Sequence, residues 1–132
     1  MRITEDKSIT TAIAPDGPKM VVPNVAEAAA WYAKYFGAKV VKQGKNTVAE
    51  IPGSNILFVE SKGMIAPTKG RALDHLGFEV ANLEEFLKKL DGSGAKFDGQ
   101  IRAAKGIALS ISMMMDPWGT YIELSQGLSA VK

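Results

Sequence analysis

The chain has 132 residues, no cysteine, and 16 basic residues against 14 acidic ones, a formal net charge of +2. That length fits one domain, and the lack of cysteine excludes disulfides, thiolate nucleophiles and cysteine-based zinc sites. The charges form no basic stripe interleaved with aromatics, which argues against a nucleic-acid partner. No apolar run approaches the ~18 residues of a membrane span.

The opening stretch, residues 1–19, is polar and turn-rich and lacks the basic, apolar, small order of a signal peptide. A soluble protein is expected, with the cytoplasm the preferred compartment. The sequence then reads as a short apolar strand ending at Val21-Val22, an Asn at position 24, and a helix closing at Gly37. Asn suits an N-cap because its side chain accepts a hydrogen bond from an otherwise unpaired helix N–H, and Glu27 stands at capping-box spacing. Val25, Ala28, Ala29, Tyr32, Tyr35 and Phe36 form its apolar stripe. Three strands are expected next, at 39–43, 46–51 and 55–61, separated by turns at Gly44 and Pro52-Gly53. Residues 62–72, with one Pro and two Gly, read as a linker.

The second part repeats the scheme. A strand at 75–80 leads to Asn82, with Glu85 three residues on and an apolar stripe at Leu83, Phe86, Leu87 and Leu90. Gly92 or Gly94 supplies the stop. Three strands follow, in "AKFDGQIR", 107–116 and 119–125, the last two joined by the turn sequence "DPWG". "GAKV" at 37–40 recurs as "GAKF" at 94–97, and Val22 matches Val80. The pattern is β-α-β-β-β written twice, an α+β fold in one domain over 1–132. Module one spans about 18–61 and module two about 73–126.

"VPNVAEAAAWYAKYFGAKVV", "DHLGFEVANLEEFLKKL…GAKF" and above all "DPWGTYIEL" carry a resemblance to the vicinal oxygen chelate superfamily. That group holds glyoxalase I, bleomycin- and fosfomycin-resistance proteins, extradiol dioxygenases and methylmalonyl-CoA epimerase. The resemblance covers about residues 20–126. It implies paired βαβββ modules whose curved sheets form a cup, a homodimer, a small-molecule ligand, and in metal-dependent members one divalent ion chelated by the substrate.

His75 is the only histidine. Strand alternation places Leu76, Phe78 and Val80 toward the helix and His75, Gly77 and Glu79 on the opposite face. In the last strand Ile122 and Leu124 take the helix side, and Tyr121, Glu123 and Ser125 the other. His75 and Glu123 match the second-half ligand positions of the superfamily, and imidazole with carboxylate suits Fe, Mn, Ni or Zn. The corresponding first-half residues are Gly17 and either Leu57 or Phe58, which offer no ligand; Asp16, Glu50 or Glu60 is the candidate third oxygen. Three roles stay open for the pair: metal ligands, a metal-free acid–base or binding pair, or a hydrogen-bonded structural pair.

Glu79, Met113, Met115, Trp118 and Tyr121 are the candidate substrate-binding walls, and Lys69 and Arg71 could draw an anion toward the cup. Two functions are expected to compete. One is a glyoxalase-like lyase, isomerase or dioxygenase acting on a small oxygenated molecule. The other is a metal-independent binding protein for a drug-like or aromatic molecule. An interaction module with an inert cup is the third possibility.

Overall fold

The computed structural model describes residues 17–130. Its first sheet is built from β1 (Lys19–Val22), β2 (Lys39–Gln43), β3 (Asn46–Ile51) and β4 (Ser54–Glu60), with helix α1 (Val25–Phe36) on one face. The strand order is β1-β4-β3-β2. The second sheet contains β5 (His75–Glu79), β6 (Lys96–Phe97), β7 (Arg102–Ala103), β8 (Ser110–Met115) and β9 (Tyr121–Gln126), with helix α2 (Leu83–Lys89). Its order is β5-β9-β8-β6, with β7 also pairing β8. The fold is α+β, with two sheets and no closed barrel. No helix among the described residues is long and apolar enough to cross a membrane.

In both halves the first strand pairs in parallel with the last: Lys19 lies opposite Leu57, and His75 opposite Tyr121. The other pairings are antiparallel. Such a parallel pair needs a crossover, which α1 and the following hairpin provide in the first half. Both expected N-caps form. Asn24 accepts from the N–H of Ala26 and Glu27 at 3.0 and 3.1 Å, and Asn82 from the N–H of Glu85 at 3.2 Å. Gly37 closes α1 at φ +69°, a left-handed turn that only glycine adopts without strain.

The second half departs from the expected regularity. The strand expected in "AKFDGQIR" is two fragments of two residues each, β6 and β7, on opposite ends of β8. Between them Asp98 still donates its N–H to the carbonyl of Met113 at 2.8 Å. Its carboxylate is drawn away to Lys69 and Tyr121, and the chain leaves the ladder there. Helix α2 has seven residues, and its cap Leu90 is right-handed, so the turn ends before either candidate glycine.

The core lies where the helix-side faces of the two halves meet. Met20, Val22, Ile56 and Phe58 from the first sheet join Met114, Ile122 and Leu124 from the second, all at most 5% exposed. Helix α1 is the wedge between them. Phe36 packs edge-on against Phe78 and Phe86 at centroid distances of 5.1 and 5.3 Å, and Trp31 against Trp118 at 5.9 Å. Burying each such aromatic contributes about 2 kcal/mol. Trp31, outside the expected stripe, is 9% exposed because its indole N–H donates to the carbonyl of Ser93 at 2.8 Å.

A buried carboxylate completes the junction. Asp116 Oδ1 accepts the N–H groups of Trp118 and Thr120 at 2.9 and 2.8 Å, and Oδ2 accepts the hydroxyl of Tyr32 at 2.9 Å. The turn expected in "DPWG" closes with Gly119 N–H donating to the carbonyl of Asp116 at 3.2 Å. Asp116 therefore shapes the turn and ties it to α1. Burial pushes its carboxyl above the ordinary value, while the three donors hold the charged form and oppose that push.

Candidate functional site

The register fixes which residues share a face. On the helix-free side of the second sheet, His75, Gly77 and Glu79 stand opposite Tyr121, Glu123 and Ser125, and Met113 and Met115 stand opposite Glu123 and Tyr121. Alternation puts their apolar neighbours under the helices, where Leu76, Phe78, Ile122 and Leu124 pack into the core. Which face presents the polar side chains is thus set by which residues the core claims.

His75 and Glu123 come together there. His75 Nε2 lies 3.9 Å from Glu123 Oε2, and the two side chains are 42% and 31% exposed. That distance is too long for a hydrogen bond. With this exposure, neither group is forced to satisfy the other. The other imidazole nitrogen is engaged: Nδ1 is 2.8 Å from Asp74 Oδ2. Asp74 also accepts the N–H of Gly70, and this contact first, then His75, holds its carboxyl below the ordinary value. The Nδ1 contact with Asp74 turns Nε2 to the side of Glu123. The same orientation serves a general base or a metal-ligating histidine. Sequence reasoning passed over Asp74, although its position next to the only histidine was a signal.

The other expected residues divide. Met113 and Met115 are half-buried on this face. Tyr121 is only 7% exposed, because the linker lies over it. Its hydroxyl donates to Asp98 at 2.6 Å, and the Lys69 ammonium sits 4.5 Å from its ring centroid while pairing with Asp98. These contacts raise the Tyr121 and Lys69 values and lower that of Asp98, with the Asp98 hydrogen bonds the leading cause for the first two and Lys69 for the third. The Glu79 carboxylate accepts the N–H and hydroxyl of Ser129 at 2.9 and 3.1 Å, so the C-terminal turn Leu128–Ala130 occupies it. Trp118 stands apart from these. With His75 it lines a cavity of about 160 Å³ between β1, the linker and the Asp116 turn, which Glu79, Met113, Met115, Tyr121 and Glu123 do not reach.

A divalent ion would need a third donor. Among the described residues no group of three His, Cys, Asp or Glu could hold one. The register makes Leu57 the first-half counterpart of Glu123, since each faces the residue five positions before its module's first Asn: Lys19 and Gly77. The counterpart of His75 is Gly17, at φ +72°, where an added Cβ would lie 1.9 Å from the carbonyl oxygen of Asn55. The backbone there is closed to any side chain. Glu50 pairs with Lys39 at 3.9 Å, Glu60 has the parity of the helix-side residues Ile56 and Phe58, and Asp16 lies outside the described residues. The described donor set does not fit a complete metal centre.

The fosfomycin resistance protein FosX of Listeria monocytogenes is similar over 89% of this chain and 95% of its own, at a TM-score of 0.73 and 16% identity. FosX of Mesorhizobium loti is similar over 91% and 98%, at 0.68 and 12%. A Listeria FosX E126Q variant, in complex with Mn(II) and 1S,2S-dihydroxypropylphosphonic acid, is similar over 86% and 90%, at 0.69 and 15%. At these identities the likeness shows the fold. Among curated protein sequences no significant match was found. The Glyoxalase/Bleomycin resistance protein/Dioxygenase superfamily model matches residues 12–124, nearly the whole chain, and the chain belongs to that superfamily.

Proposed function

We propose that the chain binds a small oxygenated molecule on the helix-free face of its second half, with His75 and Glu123 as the polar contacts. His75 Nε2 is the group that takes or returns a proton. The observation that carries this reading is the order Asp74, His75, Glu123: Nδ1 held at 2.8 Å by a carboxylate of lowered pKa, and Nε2 left without a hydrogen bond 3.9 Å from Glu123. A histidine so held is fixed in tautomer and orientation, as proton exchange with a ligand requires. Met113 and Met115 give that face an adaptable apolar wall. The FosX E126Q complex, with Mn(II) and dihydroxypropylphosphonic acid, supports a small oxygenated molecule as the ligand class. The reading for this chain is metal-free, because its described donors number two. A homodimer belongs to the proposal and is checked by light scattering.

The single histidine makes the test direct. In the ¹⁵N-labelled chain, long-range ¹H–¹⁵N spectra should show a protonated Nδ1 and a bare Nε2 at neutral pH, and Asp74→Asn should shift the tautomer balance. Stoichiometric Mn(II) should leave the His75 signal sharp. Broadening of that signal by Mn(II), abolished in Glu123→Gln, would replace the metal-free reading with a metal site. An Nε2-protonated tautomer would remove the proposed base. A second reading, metal-independent binding of an aromatic or drug-like molecule without catalysis, is favoured by the cavity that His75 shares with Trp118.

A further inference from the structure

The cavity beside His75 is separate from the face that bears Glu123, and its construction specifies a ligand. Its apolar walls are Met20 from β1, Ile65 from the linker, Leu73 just before β5, Leu76 from β5 and Trp118 from the Asp116 turn. Its volume of about 160 Å³ is close to the roughly 150 Å³ of an apolar protein cavity that holds one benzene ring. Three hydrogen bonds to Thr68 fix the linker wall. Its N–H donates to the carbonyl of Gly119 at 2.9 Å, its hydroxyl to the carbonyl of Asp74 at 2.8 Å, and its oxygen accepts the N–H of Tyr121 at 2.8 Å. The cavity is therefore formed before any ligand arrives.

Two further observations concern its mouth. Val21 and Leu73, both lining residues, are 44% and 52% exposed, so two large apolar side chains of the lining are left to water. Lys19 also lines the cavity and is exposed. His75 is the only other lining residue that can carry charge.

We propose that this cavity binds a small monocyclic carboxylate. The ring lies among Leu73, Leu76 and Trp118, and the carboxylate sits at the mouth against Lys19. The site rests on the second reading above, whose ligand class it names, and it depends neither on Glu123 nor on the proton-exchange reading. Its single link to that reading is His75, which borders both places.

The test uses the full chain with benzoate as probe, benzene as the uncharged ring and acetate as the ringless charge, read from the His75 imidazole and Trp118 indole resonances. Benzoate should shift both signals saturably, and acetate should not. Leu73→Trp fills the mouth from a half-exposed position and should weaken benzoate about tenfold; Ile65→Trp provides a second blocking variant. Lys19→Gln should weaken benzoate about threefold, as expected for an exposed charge, and leave benzene unchanged. The proposal falls if benzoate gives no saturable shift, if both blocking variants leave it unaltered, or if acetate does as well. It also falls if Leu73→Trp alters the mass of the particle while benzoate fails to bind, which would make the seam a protein interface. Benzoate occupancy does not report proton exchange at Nε2, so either proposal can fail while the other stands.

Discussion

The two halves share a topology and a parallel first-to-last strand pair, yet their helix-free faces differ in kind. In the first half that face carries Val21, Val41, Val48, Leu57 and Val59, with Lys19 opposite Leu57 and Lys39 and Glu50 paired at its edge. In the second it carries His75, Glu79, Tyr121 and Glu123 beside Met113 and Met115. The helix-side sets are alike: Met20, Val22, Ile56 and Phe58 in one half, and Leu76, Phe78, Ile122 and Leu124 in the other. The fold depends on the helix-side residues, whose burial contributes about 2 kcal/mol each. The opposite face is then free to be rich in valine in one copy and to gather a histidine with carboxylates in the other. The contrast teaches that a duplicated architecture does not duplicate a site.

The most severe way to break the comparison is to separate the halves. Asp116→Ala removes the acceptor of Tyr32 and of two turn N–H groups, and should cost about 3 kcal/mol in urea unfolding. Asp116→Asn, which keeps one acceptor oxygen, should cost less. An equal loss in both variants would show that the charge, and not the shape, holds the turn.

A smaller effect is expected from trying to make the halves chemically equal. Gly17→His places a donor at the counterpart of His75, but on a backbone of positive φ whose Cβ position is filled by the Asn55 carbonyl. About 2 kcal/mol should be lost, with no gain in Mn(II) affinity by isothermal titration. A stable variant that binds Mn(II) through His75 and Glu123 would show that the missing donor was the only obstacle.

The smallest effect concerns the linker over the second face. Asp74, Glu79 and Asp98 all have lowered carboxyl values in the fold. Their contribution is complete above the ordinary carboxylate range and is lost as pH falls through the lowered values. Asp116, raised by burial, has the opposite sign: its contribution is present below the ordinary value and fades as pH rises through the raised one. Melting temperature should therefore fall less steeply with acid in Asp98→Asn than in the unchanged chain. Cleavage within residues 62–72 by a protease should also quicken, because Lys69 loses its partner. Parallel acid profiles would show that the Lys69–Asp98–Tyr121 contacts do not pin the linker.

Much of this was legible in the residues. The caps at Asn24 and Asn82, the stop at Gly37 and the Asp116 turn rest on interactions within six residues, so local sequence announces them. The shared face of His75 and Glu123 was legible too, because alternation and the apolar partners Leu76, Phe78, Ile122 and Leu124 leave one arrangement that buries the core. The break at Asp98 was hidden, since it follows from Lys69 and Tyr121, 29 and 23 residues away. So was the burial of Trp31, which depends on a carbonyl 62 residues distant.

The sequence by itself determined the two α+β repeats, the helix boundaries at their N-termini and the face on which the only histidine stands, because each follows from period, capping chemistry and burial within a single element or strand pair. Tertiary structure alone decided the rest. It set the Asp74 contact that orients His75 and the linker closed over Tyr121. It also closed Gly17 to a side chain and separated Trp118 from the other expected wall residues. Each of these depends on where segments distant in the chain come to rest, and that is fixed by the packing of the halves around α1, not by the pattern within either of them.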